Sequence, residues 1–128
     1  MNNMQALQAF WSDFGIPAFD ENVVPTKEER IKYYGAAFPY ITYEASSDFF
    51  GVEVAQTANI YYRSTSWAAI TEKEQEIANR ISRGGLFIAC DNGALWIKRA
   101  TPWAQRMGDQ TDDMIRRIVL NYTVEFIL

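Results

Sequence analysis

Cys90 and Asp91 set a thiol beside a carboxylate, and Cys90 is the only cysteine among 128 residues. A nucleophilic thiol must be held as thiolate, most often by a neighbouring imidazole. The chain has no histidine, so that chemistry lacks its base, and Cys90 reads as a buried structural thiol on the inward side of an alternating run. The same absence removes Ser-His-Asp hydrolysis, most zinc sites and a histidine pH switch. One cysteine also excludes an intrachain disulfide and a multi-cysteine metal cluster.

Carboxylates are the remaining chemistry-bearing groups. Asp109, Asp112 and Asp113 are close enough in sequence to hold a hard cation, but their spacing matches no calcium loop, and the glycine precedes the acids. They read as a solvated loop. Glu44, Asp48 and Glu53 flank the first strand turn; paired carboxylates for glycoside hydrolysis need two acids facing across a cleft, and acids beside a turn are ordinary. Gly84-Gly85 reads as a helix stop and not as a phosphate or dinucleotide loop. No catalytic residue, metal or cofactor is expected.

What must position these groups is one domain. A 14.7 kDa chain with 48% apolar and 22% charged residues has globular composition and supports a core without disulfides. The net charge is −4. Residues 1–64 carry 4 basic and 8 acidic side chains, and residues 65–128 carry 8 of each. Neither half is a cationic platform, so nucleic-acid recognition is not expected. Lys98-Arg99 with Arg116-Arg117 is the nearest thing to a basic patch and reads as solvated strand ends. No apolar run approaches a membrane span, and Met1-Asn2-Asn3-Met4 does not open a signal peptide.

Met4, Leu7, Trp11 and Phe14 at helical spacing predict a helix over 3–14, capped by Asn2 or Asn3 and stopped by Gly15. Residues 15–38 are irregular; Thr26 and Glu29 have capping-box spacing, so 27–34 reads either as a two-turn helix or as an irregular segment. Alternation predicts strands over 39–45 and 51–64, with a turn at Ser46-Ser47-Asp48 and with Gln56 on the apolar face as a bulge or rim position. Thr71 and Glu74 predict a capped helix over 72–83. Asn92-Gly93 predicts a type I′ hairpin over 85–99 that pairs Cys90 with Leu95, Ala89 with Trp96 and Ile88 with Ile97. Even positions from Met114 to Leu128 predict a half-buried antiparallel strand. The expected fold class is α+β: a mixed or antiparallel sheet of about five strands with two main helices on one face.

Residues 100–113 then read as a fourteen-residue connection carrying Pro102 and Gly108, an unusual length inside a small domain. Trp103 and Met107 would be poorly covered there, which points to a partner surface. Aromatic side chains make up 15% of the chain, with Tyr33, Tyr34, Phe38 and Tyr40 clustered and Phe49-Phe50 at a turn. They serve either as core filling or as an aromatic subunit interface. Tyr33, Tyr34, Arg99, Trp103, Arg106, Met107, Arg116 and Arg117 are the candidate interface residues.

Phe14-Gly15-Ile16-Pro17-Ala18-Phe19 and Pro39-Tyr40-Ile41-Thr42-Tyr43-Glu44 resemble the opening of small tail-completion proteins of long-tailed bacteriophages. Pro102-Trp103-Ala104-Gln105, Arg116-Arg117 and Asn121-Tyr122-Thr123-Val124-Glu125-Phe126 resemble that family's C-terminal half, and the element order is similar to the tail-terminator fold. Residues 20–38 depart from the pattern, being longer and more charged. The resemblance implies no enzyme activity. It implies a homo-oligomeric ring, typically a hexamer, that caps the tail tube, stops its polymerisation and docks the head connector. Its place would be the head-proximal end of the virion tail, after assembly in the host bacterial cytoplasm. A head-closure or connector component is the neighbouring alternative. A small carboxylate enzyme and a free-standing binding or toxin-accessory domain are the readings from other classes.

Overall fold

A computed structural model describes residues 1–46 and 51–128; the expected turn acid Asp48 and the Phe49-Phe50 pair lie outside the described residues. The elements are α1 (Asn3–Trp11), β1 (Ala18–Asp20), α2 (Lys27–Tyr34), β2 (Tyr40–Tyr43), β3 (Glu53–Arg63), α3 (Ala68–Ile81), β4 (Leu86–Cys90), β5 (Gly93–Met107) and β6 (Ile115–Ile127). The fold is α+β. Among the described residues it has six strands and three helices where about five and two were expected. The sheet order is β1-β2-β3-β6-β5-β4, and it is mixed because β1 runs parallel to β2 while the other neighbours are antiparallel.

Ala18, Ile41, Ile60 and Ile118 lie in register across four strands and define an inner face. α1 and α3 cover it: Leu7, Phe10 and Trp11 from α1 and Ile70, Ile77 and Ile81 from α3 pack with Leu95, Ile97, Leu120 and Tyr122. Phe19, Thr42, Asn59 and Val119 alternate onto the outer face. Gln56 falls inside without a bulge. Its amide donates to the Ser46 carbonyl at 2.6 Å, and its oxygen accepts from the Tyr122 hydroxyl at 3.0 Å. Both of its polar ends are thus satisfied within the core.

The helix ends differ from expectation for local reasons. Asn2 caps α1 in a reciprocal box with Gln5, and the helix stops at Trp11, so Phe14 reaches the core from the turn beyond it. α3 starts at Ala68. The Thr71 N–H is therefore already an intrahelical donor to Trp67 at 3.0 Å, and the Thr71–Glu74 box is not used. Glu74 instead accepts from Trp103 Nε1 at 2.6 Å.

The hairpin is shifted by two residues from its expected register: Cys90 pairs with Gly93, Ala89 with Ala94, Ile88 with Leu95 and Phe87 with Trp96. The turn is Asp91-Asn92, and of these two only Asn92 is left-handed (φ 62°), whereas a type I′ turn needs both. Gly93 is required for another reason. A Cβ there would stand 2.0 Å from the Ile127 carbonyl oxygen, so glycine admits the close approach of β6. The inward and outward sets survive because a shift of two keeps side-chain parity.

The fourteen-residue connection is also corrected. β5 continues through it to Met107. Arg99 pairs with Tyr122 and Ala104 with Leu120, so residues 100–103 bulge out opposite Asn121 alone. Asn121 Nδ2 holds that bulge by donating to the Pro102 carbonyl at 3.0 Å. A strand with this interruption loses its period of two, which is why it resembled a loop.

Candidate functional site

α2 packs inside out. Thr26 and Glu29 form the expected capping box, and Gly35 in the left-handed region (φ 87°) closes the helix. Its buried residue is Arg30, 9% exposed. The guanidinium donates through Nε to the Ala37 carbonyl at 2.9 Å and through Nη1 to the Pro25 carbonyl at 2.8 Å. It lies 4.2 Å from the Tyr40 ring centroid. Apolar and aromatic residues of the helix are exposed: Ile31 at 50%, Tyr33 at 66% and Tyr34 at 52%; Val23 and Val24 on the preceding segment are exposed as well. Ile31 and Tyr34, three residues apart, are both exposed, and Tyr34 also touches Phe19. Large apolar side chains exposed together on one short segment point to a contact surface.

An aromatic row ties this patch to the outer face of the sheet. Tyr34 meets Phe19 edge-on at 5.1 Å, and Tyr40 stacks on Tyr61 at 4.7 Å. Arg117 lies 5.9 Å from the Tyr61 ring and donates to Asn59 at 2.8 Å. Met107 pairs with Arg117 and is exposed. Burial raises the Tyr40 hydroxyl pKa against the opposing pull of Arg30. Tyr34, Met107 and Arg117 therefore belong to one side of the molecule, while Tyr33 is exposed next to Lys32.

The other candidates do not join them. Arg106 and Arg116 lie 4.8 and 5.4 Å from the Trp67 ring at the start of α3. Arg116 also donates to the Asp113 carbonyl. Trp103 is no exposed anchor: it is half-buried against the core and bonded to Glu74. Arg99 is exposed near Arg83, Thr101 and Trp103. The sequence reading missed Ile31, Val23 and Trp67 as exposed or arginine-flanked contact groups. The Ile31–Tyr34 spacing carried part of that signal.

The carboxylates and the thiol have structural partners. Glu44 accepts from the Thr57 N–H at 3.2 Å and from its hydroxyl. Glu53 accepts from Thr123 at 2.8 Å and pairs with Lys98 at 3.1 Å; first the Thr123 bond and then Lys98 lower its pKa. Asp112 pairs with Arg63 at 2.9 Å, which holds its carboxyl below the usual range, and Asp109 bonds Thr111. Burial, with the charge of Asp91, pushes the Cys90 thiol pKa up, away from the thiolate a nucleophile needs. Among the described residues no three metal-ligating side chains converge, and no helix is long and apolar enough to cross a membrane.

No family model matches this chain, and no curated protein matches it. One solved structure, of a protein that carries no functional description, is similar over 97% of this chain and 94% of its own, at a TM-score of 0.59 and 13% identity. At that identity the likeness concerns the fold alone.

Proposed function

We propose that this chain is a structural, non-enzymatic subunit of a long-tailed phage, forming a homo-oligomeric ring, a hexamer by family likeness, that caps the tail tube and offers a docking surface to the head connector. The sequence resemblance supplies the family. The observation that carries a contact role is the inverted α2, which presents Ile31, Tyr33 and Tyr34 to solvent while an arginine fills the inward position. A ring subunit needs two different patches that meet head-to-tail. The α2 patch with Met107 and Arg117 is one, and Arg106, Trp67 and Arg116 are the other. Tyrosine and arginine suit such contacts because each covers a large area and keeps a polar end.

Light scattering over a range of concentration, with and without polymerised tail tube as template, tests this. A discrete species near six subunits, or tube ends capped by such rings, is the expected result. Tyr34→Ser with Ile31→Asp should abolish it while leaving the far-ultraviolet circular dichroism unchanged. A monomer under both conditions, or rings that form equally well from the variant, would count against the reading.

A further inference from the structure

The two edges of the sheet are closed to different degrees. β1 has three residues, and Gln8 Nε2 donates to its Ala18 carbonyl at 3.1 Å, so that edge is short and partly covered. β4 is the opposite edge, and it carries Leu86-Phe87-Ile88-Ala89-Cys90 with no charge, proline or bulge. Natural edge strands are usually blunted by one of those devices.

The open length of β4 follows from its register. Across a two-residue hairpin turn Cys90 and Gly93 exchange hydrogen bonds, so Ile88 and Leu86 also direct their N–H and C=O groups at β5. Residues of the other parity direct theirs outward. The Gly85 N–H is taken by the Ser82 carbonyl at 3.4 Å, and the Gly85 carbonyl by the Ser82 hydroxyl at 3.3 Å. The Asp91 N–H is taken by the Met1 carbonyl at 2.7 Å. Between those two positions Phe87 and Ala89 leave two N–H and two C=O groups open among the described residues.

We propose that β4 pairs, antiparallel and about a two-fold axis, with β4 of a second copy of this chain. Centred on Ile88, that register sets Phe87 against Ala89 of the other copy and Ala89 against its Phe87. All four open groups of each copy are then satisfied by four interstrand hydrogen bonds. Size matches as well. Phe87, 59% exposed and stacked on Trp96 at 5.1 Å, lies over the methyl of Ala89. At the ends, Asp91, which already pairs with the Met1 amino group at 3.0 Å but keeps its side chain 69% exposed, comes within two positions of the exposed Arg83 of the other copy. The opposite edge is a poorer partner, being shorter and partly covered. This dimer is isologous and stands independently of the ring, whose contacts are head-to-tail.

The register makes its own test. Leu86 falls opposite Cys90 of the other copy at a non-hydrogen-bonded position, where Cα atoms sit about 4.5 Å apart, within disulfide reach. In Leu86→Cys, air or copper-phenanthroline oxidation should yield a covalent dimer in most of the chain. The native protein and Leu86→Cys/Cys90→Ser should not give it. Ala89→Lys, on the exposed side of the strand, should raise the dimer dissociation constant in sedimentation equilibrium at least tenfold without changing the circular dichroism. Should Leu86→Cys fold poorly, the Ala89→Lys comparison decides alone. A native chain that stays monomeric to millimolar concentration overturns the proposal. A dimer indifferent to Ala89→Lys, or a folded Leu86→Cys chain that does not cross-link, overturns it too.

Discussion

Replacing Trp103 separates two opposed expectations. If residues 100–113 were a loop reaching toward a neighbour, Trp103→Ala would weaken assembly and spare the monomer. In the structure the indole is half-buried against the core and its Nε1 donates to Glu74 Oε1 at 2.6 Å. A buried tryptophan removes roughly 150–250 Å² from water. Allowing for its exposed part, at ~25 cal/mol per Å² the burial is worth about 3 kcal/mol. The bond to a carboxylate adds about 1.5 kcal/mol, so Trp103→Ala should destabilise the monomer by about 4–5 kcal/mol. Trp103→Phe retains most of the area and should cost about 1–2 kcal/mol, by losing the donor. Urea unfolding followed by circular dichroism measures both. Glu74→Gln completes a double-mutant cycle that should return a coupling of about 1 kcal/mol. A Trp103→Ala monomer within about 0.5 kcal/mol of the native chain, the scatter of ordinary surface substitutions, would refute the packing argument and restore the loop reading.

Arg30→Met keeps the length of the side chain but leaves the Pro25 and Ala37 carbonyls without their charged donor. It should cost about 2–4 kcal/mol by urea unfolding and expose residues 21–38 to proteolysis first; equal cleavage rates in variant and native chain would contradict it. For pH, Glu53 and Asp112 both have folded pKa values below their unfolded ones. Their contribution is therefore complete above the unfolded carboxylate range near pH 4 and is lost as pH falls through the lowered values. Unfolding free energy should decline on acidification through that window. The double variant Glu53→Gln/Asp112→Asn should flatten the decline, as read by urea titrations from pH 6 to pH 2.5; an unchanged slope would assign the acid sensitivity elsewhere.

What the sequence discloses follows from how local its causes are. The β6 alternation from Ile118 to Val124 reports burial directly, because one face of a central strand meets the core. Asn2 and Thr26 announce helix starts because a cap bonds an N–H three residues away. Where a distant segment decides, the local signal misleads. Asn92-Gly93 has the composition of a turn centre, yet the approach of the Ile127 carbonyl assigns Gly93 to the strand. Thr71 and Glu74 form a cap in sequence, but α3 has already begun, and Glu74 serves Trp103. The three-residue β1 carries no periodicity to detect and exists because β2 accepts it. At the candidate surface Tyr33 and Tyr34 are legible as aromatics near a break, whereas the inward turn of Arg30 depends on the two carbonyls it meets.

Those two carbonyls have a further consequence. Arg30 anchors α2 through main-chain oxygens at positions 25 and 37, and every amino acid supplies such an oxygen. The hydrogen-bonding side of the anchor thus places little demand on the side chains at positions 25 and 37, while the Tyr40 ring also faces the guanidinium; Ile31 and Tyr33 are exposed, and Tyr34 rests on Phe19. The seat of this short helix and its exposed positions are thus written in different letters, and the exposed ones can change while the helix keeps its seat.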